Sequence, residues 1–324
     1  MTLKELAAWF ADKDDIAIIG HVSPDGDAIG TSLAVKHAFA QMGKRACVVL
    51  ADKVPDKYMF MPGADEICAV DAMSFAPKCA FAVDVSEHHR MGSVSVVFDA
   101  ARHKANLDHH ATNPGFGDAF YVDGDRASAG EIALEFIKEM GVEVDKAIAE
   151  CVYVALCTDT GNFSYKNTDP RAFMTAAECV QYGAEPEKLS RKAFRERALP
   201  ATRILGEAIS RVKTAYDGKI AYTFVDEAML EKAGARLEHA SNISNYMNEI
   251  TGVMVGLYFE RRNGATKVSW RSACDINVAE IAGVFGGGGH AAAAGATINE
   301  DMPTAIEMAV KATEDALKGF EGGC

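Results

Sequence analysis

Four short segments of this sequence concentrate side chains that hold metal ions or move protons. His21-Val-Ser-Pro-Asp25-Gly-Asp27 places one imidazole and two carboxylates within seven residues, and Asp108-His109-His110 sets a carboxylate beside two imidazoles. Two further acids accompany them: Asp84, which closes the apolar run CAFAV, and Asp159 in Thr158-Asp159-Thr160-Gly161. Taken alone, HVSPDGD reads equally well as a Pro/Gly turn whose Asp27 caps the next helix. The other segments weigh against that, because the last buried position of a strand is ordinarily apolar. Carboxylates gathered closely repel one another and are costly to desolvate, so a cation should sit among them. None of the four segments contains Lys or Arg, which leaves a divalent metal as the natural counter-charge. Imidazole and carboxylate donors without thiolate suit Mn²⁺, with Mg²⁺, Co²⁺ and Fe²⁺ as competitors. Two ions bridged by a shared carboxylate would activate a water and clamp a phosphate for in-line attack.

Bringing such groups together requires a sheet whose strands end on one edge. Residues 15–20 (DIAIIG), 46–50, 79–85, 94–98 (VSVVF) and 104–107 read as short buried strands, alternating with helical patterns such as residues 28–42. This alternation predicts an α/β fold with a doubly wound, mainly parallel sheet. His21 and Asp84 follow their strands at the C-terminal edge, where open α/β sheets bind ligands. Ser128-Ala-Gly-Glu131 has the pattern of a capping box, and residues 145–157 read as a helix apolar nearly all round, hence buried. A polar stretch, residues 184–197, with Pro200 soon after, reads as a helical connector. Beyond it residues 219–225, 253–260 and 266–271 read as strands, and 226–234, 237–250, 277–285 and 304–320 as helices. A second, smaller α/β domain follows. The expected division is 1–185, a connector over 186–205, and 206–324.

Composition limits the partners. The 324 residues carry 33 basic and 46 acidic side chains, a formal charge of −13. That disfavours coating a long nucleic acid with Lys and Arg, though not a small phosphorylated ligand held locally. With 49% hydrophobic and 24% charged residues the chain has material for a core, which excludes disorder as its main state. No run of 18 apolar residues and no basic, apolar leader occurs, so neither membrane association nor export is expected and the location reads as cytoplasmic. The eight cysteines (47, 68, 79, 151, 157, 179, 274, 324) form no CxxC pair and read as buried free thiols. His37, His88, His89, His103 and His239 lack metal-like neighbours and read as structural or surface residues.

Together the motifs match a known pattern. HxxxDGDA, the Asp108-His109-His110 triad, the aspartate ending the strand before it and TDTG resemble the DHH phosphoesterase superfamily. Gly286-Gly-Gly-Gly289-His290, followed by Ala-Ala-Gly295, is similar to the GGGH motif of the accompanying DHHA1 domain. Five motifs occur in the family's order along almost the whole chain, and the short two-domain form looks most like the bacterial nanoRNase and pAp-phosphatase subgroup. The resemblance implies an active site in the cleft between a DHH and a DHHA1 domain. It assigns one metal to His21, Asp25 and Asp84, and a second to Asp27, Asp84, His109 and Asp159. His110 then faces the scissile phosphate, Asp108 orients a neighbouring histidine, and Arg271, Ser272, Gly288, Gly289 and His290 hold substrate. Read from the residues themselves, the glycine run is either a close approach to phosphate or a flexible linker. Arg271 is either a bidentate phosphate ligand or a solvated strand end.

The implied activity is Mn²⁺-dependent hydrolysis of short oligoribonucleotides to mononucleotides and of 3′-phosphoadenosine 5′-phosphate (pAp) to AMP. A linear or cyclic dinucleotide phosphodiesterase is the alternative, followed by a polyphosphatase or a RecJ-like exonuclease. A regulatory module that had lost turnover would lack a ligand, whereas all six expected positions are filled. A dinucleotide-dependent oxidoreductase would show GxGxxG where GHVSPDG stands. A homodimer is left open.

Overall fold

The computed structural model describes residues 1–240, 243–262 and 264–320. The chain divides into two units, Met1–Glu196 and Arg197–Cys324.

In the first unit, β1 (Ile16–Ile19), β2 (Ala46–Val49), β3 (Cys79–Val83), β4 (His103–Asp108) and β5 (Ala119–Val122) form a parallel sheet in the order β2-β1-β3-β4-β5. Around it run α1 (Leu3–Phe10), α2 (Gly26–Gln41), α3 (Ser95–Ala100), α4 (Ala129–Glu139), α5 (Lys146–Asp159), α6 (Pro170–Gln181) and α7 (Pro186–Ser190). Alternate strand residues face opposite sides. Ile16, Ile18, Phe81 and Val83 pack with α1, α2, α4 and α5, while Ala17, Ile19, Ala80 and Ala82 pack with Val97 and Phe98 of α3. Both faces are therefore covered, which is why these strands are apolar throughout.

Residues 94–98 are not the expected strand. They end a 3₁₀ turn and open α3, with Val94, Val97 and Phe98 buried at helical spacing and Val96 59% exposed. A five-residue apolar run carries too little period to separate helix from strand. At α4 the Ser128 hydroxyl accepts from the Glu131 amide as expected, but the Glu131 carboxylate reaches past it to the Ala127 amide and Arg126. Half of the capping box is thus replaced by a longer reach.

Helices α2, α4 and α5 approach at backbone distance. A Cβ on Gly30 would lie 2.5 Å from the Cys151 carbonyl oxygen, and one on Gly130 would lie 2.5 Å from the Ala155 Cβ. Only glycine fits at either position, and this close approach is what lets α2 and α5 deliver side chains to one point.

The second unit is built on a six-stranded sheet. Its strands are β6 (Lys213–Ala215), β7 (Ile220–Val225), β8 (Val255–Arg262), β9 (Ala265–Ser272), β10 (Gly288–His290) and β11 (Ala293–Ile298), ordered β10-β11-β9-β8-β7-β6. The β7–β8 pair is parallel and the others antiparallel. The helices are α8 (Leu199–Ile209), α9 (Glu227–Ala233), α10 (Ile243–Met247), α11 (Val278–Gly283) and α12 (Met302–Lys318). Leu257, Phe259, Val268 and Trp270 bury against Ala305 and Ala309 of α12, and the Trp270 indole N–H donates to Thr313 Oγ1 at 3.0 Å. The expected helix over 237–250 is a 3₁₀ turn, Leu237–Ala240, and the separate short α10; Asn242 lies outside the described residues. The alanine-rich segment after His290 forms β11, which small residues hid from a pattern reading. No described helix is long and apolar enough to cross a membrane. Seven cysteines are free, four of them buried, and Cys324 lies outside the described residues.

Gly30→Val should lower stability by about 1–3 kcal/mol through overpacking of α2 against α5, read as a lower urea midpoint with an unchanged slope.

Candidate metal centre

The strands β1, β3 and β4 are neighbours, and their C-terminal ends carry His21, Asp84 and Asp108-His109-His110 to one edge. Asp25 is the N-cap of α2 and Asp27 lies in its first turn, while Asp159 ends α5. All six expected ligands meet there. Their donor atoms fall into three overlapping groups, each within 4.8 Å: His21, Asp25 and Asp84; Asp27, His109 and Asp159; and Asp84, His109 and His110.

Asp84 belongs to two of these groups, and His109 links them to the third, which Asp84 does not enter. Its Oδ2 lies 3.5 Å from His21 Nε2 and its Oδ1 lies 3.6 Å from His109 Nε2, so each oxygen faces a different imidazole. The residue is 2% exposed, and its Oδ1 is buried without a hydrogen-bond partner. Its backbone is left-handed, with φ 55°, a conformation that L-residues other than glycine seldom hold without enforcement. The enforcement is visible: its amide donates to the Leu107 carbonyl of β4 at 3.0 Å.

The other expected ligands are oriented just as closely. Asp25 Oδ1 accepts from the Asp27 and Ala28 amides, each at 3.0 Å, and Oδ2 lies 3.7 Å from His21 Nε2. Asp25, not Asp27, is therefore the cap. Asp27 is fully buried at the N-terminus of α4, where its carboxylate accepts from the Ala129 amide (2.7 Å), the Gly130 amide (2.9 Å) and Thr31 Oγ1 (2.9 Å). Burying an ionised carboxylate costs several kcal/mol. Charge-assisted hydrogen bonds contribute roughly 1.5–3 kcal/mol apiece, against at most about 2 from the helix dipole, so the three donors offset more of that cost than the dipole does, without cancelling it. His109 Nε2 lies 3.2 Å from Asp159 Oδ2 and 3.7 Å from Asp27 Oδ2. His21 Nδ1 bonds the Val22 carbonyl and His109 Nδ1 the Arg126 carbonyl, leaving Nε2 of each toward the carboxylates. Asp108 Oδ1 lies 2.7 Å from His110 Nδ1, and its Oδ2 accepts from Asn113 at 2.7 Å.

The electrostatics describe a cation site. Burial alone would push the His21 and His109 imidazoles down, but the surrounding aspartates outweigh it and hold both up to about 11. Burial raises Asp84 to about 6, offset in part by its bond to His21, and raises Asp27 well above the carboxylate range with help from the Asp84 charge. The groups thus borrow protons to offset crowded charge, and the orphaned Asp84 Oδ1 has no protein donor. Hard oxygen donors with two imidazoles and no thiolate fit divalent ions at this edge.

Among the described residues, the histidines expected to be structural join none of these groups. His88 pairs with Asp99, His89 with Glu87 and His37 with the Pro62 carbonyl; His103 lies against the Trp9 ring and His239 accepts from the Arg236 amide. The substrate candidates all lie in the second unit. His290 pairs with Ala293, and Ala293 with Arg271, so these three form one row across β10, β11 and β9 on the sheet face opposite Trp270. Arg271 donates to Asn245 Oδ1 at 3.2 Å and the Ser272 hydroxyl to the Cys274 carbonyl at 2.6 Å. Gly288 and Gly289 belong to the β10–β11 hairpin, where a Cβ on Gly289 would lie 2.5 Å from the Ala293 carbonyl oxygen. The run is a tight hairpin and not a free linker.

Sequence reasoning missed the supports: Thr31, Asn106, Asn113 and the Arg126 carbonyl. Thr31 was detectable, since it follows Asp27 by one helical turn. Asn106, fully buried in β4, donates to the Ala82 and Val85 carbonyls and accepts from Asn113, which no local pattern announces.

A histidine whose folded pKa is raised stabilises fully below its unfolded value, 6.5, and that contribution disappears as pH climbs toward about 11. Asp84 titrates below this window. Metal-free protein should therefore lose urea resistance as pH rises through it. Divalent-metal affinity should increase over the same interval, as the imidazoles shed their protons. Calorimetry in buffers of differing ionisation enthalpy measures the release; a pH-independent affinity contradicts the assignment.

Comparison with known proteins agrees with the geometry. The DHH family N-terminal domain model matches residues 15–156 and the DHHA1 domain model matches residues 203–319. The Thermus thermophilus protein named bifunctional oligoribonuclease and PAP phosphatase NrnA is 34% identical over 307 residues, 93% of this chain and 90% of that one. The Bacillus subtilis protein of the same name is 26% identical, covering 91% of this chain and 92% of its own. A crystal structure of an exopolyphosphatase-related protein from Bacteroides fragilis matches with a TM-score of 0.90 at 26% identity, covering 98% and 95% of the two chains. Two domain models matched in order, with a relative so similar along nearly the whole of both chains, make this chain a member of the DHH–DHHA1 phosphoesterase family, hydrolases of phosphate esters.

Proposed function

We propose that the protein hydrolyses short oligoribonucleotides to mononucleotides and pAp to AMP, using two divalent ions, Mn²⁺ by preference. The observation that carries the two-ion reading is Asp84, whose separate oxygens face the His21 and His109 groups. Charge supports it as well. Asp25, Asp27, Asp84 and Asp159 supply four negative charges when ionised, and two divalent cations balance them with both histidines neutral. The substrate class is supported by the likeness to the two NrnA proteins and by the charge of −13, which suits a short substrate better than a long strand.

In this reading His21, Asp25 and Asp84 hold one ion, and Asp27, Asp84, His109 and Asp159 the other. Bound ions supply Lewis-acid stabilisation of the phosphoryl oxygens and activation of water for in-line attack. The chain's own residues do the rest. Asp27, fixed by three donors, keeps its carboxylate in place through the reaction. His110 has Nδ1 occupied by Asp108, and that bond raises its pKa and so favours the doubly protonated ring, whose Nε2 proton is the one available to the leaving oxygen. Water adds to phosphorus, the ester P–O bond breaks, and the leaving oxygen ends protonated. From pAp this releases AMP and inorganic phosphate; from pApA, two AMP. Arg271, Ser272, Gly288, Gly289 and His290 are the proposed substrate contacts of the second unit, the guanidinium supplying a fork for phosphate.

Purified, chelator-treated protein resupplied with Mn²⁺ is to be offered pApA, longer oligoribonucleotides, pAp, cyclic di-AMP and polyphosphate in parallel. AMP from pApA and pAp is the expected product, and turnover of polyphosphate alone overturns the reading. Asp84→Asn should abolish activity and weaken metal binding. Asp108→Asn should keep metal affinity while lowering kcat by about 10–100-fold, and move the basic limb of the pH–rate profile down, because His110 loses the carboxylate that raises it.

A further inference from the structure

We propose that Tyr165 is a stacking platform for a nucleobase of the substrate, an inference that rests on the nucleotide reading above. The loop 160–168 runs on from Asp159 and is wired at almost every step. The Asn162 amide donates to the Cys157 carbonyl at 2.7 Å, and the Ser164 and Tyr165 amides both donate to the Thr160 carbonyl, at 2.8 and 3.0 Å. The Phe163 amide donates to Thr160 Oγ1 at 3.1 Å. Asn167 Nδ2 donates to the carbonyls of Asp159 and Ala127, each at 3.1 Å, tying the loop's far end to the metal ligand itself. Asn162 and Phe163 hold left-handed backbones, φ 56° and 64°, and Phe163 is clamped by the Phe173 ring, stacked at 5.3 Å. Consecutive left-handed residues other than glycine persist only where their surroundings enforce them. The loop is a rigid extension of the metal edge.

Its two aromatic side chains are used differently. Phe163 packs on the core of the first unit, whereas Tyr165 is 58% exposed. The Tyr165 ring is backed by main chain: a Cβ on Gly161 would lie 2.4 Å from both its Cε1 and its Cζ. Burial does not account for a tyrosine so placed. A supported aromatic surface with an open side, on a fixed loop beginning at a metal ligand, is suited to stacking one base of a nucleotide whose phosphate lies at Asp159. Stacking is tolerant of base identity and needs no positive charge. It provides affinity for a short nucleotide on a chain whose net charge is −13.

The test compares pAp with ribose 3,5-bisphosphate, which carries the same phosphates without the base. Tyr165→Ala should lower kcat/KM for pAp by about 10–100-fold, mostly through KM, and leave the base-free compound unchanged; Tyr165→Phe should stay within about two-fold of wild type on both. As a readout independent of turnover, stopped-flow mixing with a pAp analogue carrying 2-aminopurine should show rapid fluorescence quenching in wild type and Tyr165→Phe but not in Tyr165→Ala. Unchanged kinetics on pAp, or an equal loss on both substrates, overturns the platform alone. A wild-type protein inert toward pAp and pApA overturns the nucleotide reading and the platform with it.

Discussion

The Asp84 carboxylate is shared, buried and only half satisfied by protein, and the architecture of the first unit follows from that condition. One oxygen faces His21 and the other His109, and the oxygen toward His109 finds no hydrogen-bond donor. Such a group costs free energy in a folded protein unless a cation or a proton neutralises it. Presenting both oxygens outward requires the chain to turn sharply at the end of β3, which it does by placing Asp84 in a left-handed conformation anchored to β4. The strand order then matters. With β3 between β1 and β4, the imidazoles that follow those two strands fall on either side of the carboxylate.

The remaining aspartates show how one side chain takes different duties from its surroundings. Asp25 divides its oxygens between capping α2 and facing His21. Asp27 is locked by two main-chain amides at the start of α4, which is possible because Gly30 and Gly130 let the helices touch. Asp108 meets His110 and Asn113 and is held below the usual carboxylate range: burial pushes it up, but the bond and charge of His110 together with the Asn113 bond outweigh burial. Behind it, Asn113 donates to Asn106 Oδ1 and the Val85 carbonyl, and Asn106 donates to the carbonyls of Ala82 and Val85, so the polar edge continues inward as a bonded network.

Much of this was legible before any coordinates. Each ligand sits next to a strand or helix terminus that the apolar pattern marks, and alternation along the first half suffices to imply a parallel sheet. Legibility failed where a local pattern was too short or too weak. Residues 94–98 are apolar enough for a strand, and only the exposure of Val96 reveals a helix lying on the second face. The alanine-rich β11 lacks the branched residues that signal a strand, and the expected helix over 237–250 is broken into shorter pieces.

Residue type and order by themselves determined the donor set and its position at the ends of strands and helices, because these are properties of local chemistry and spacing. Tertiary structure alone decided which oxygen of Asp84 meets which histidine, that Asp25 and not Asp27 caps α2, and which nitrogen of His110 is taken. Relations in the centre join residues far apart in the chain, 63 positions for Asp84 and His21 and 103 for Asp27 and Gly130. Such relations depend on strand order and on helix approach measured in tenths of an ångström, which no local pattern of residues encodes.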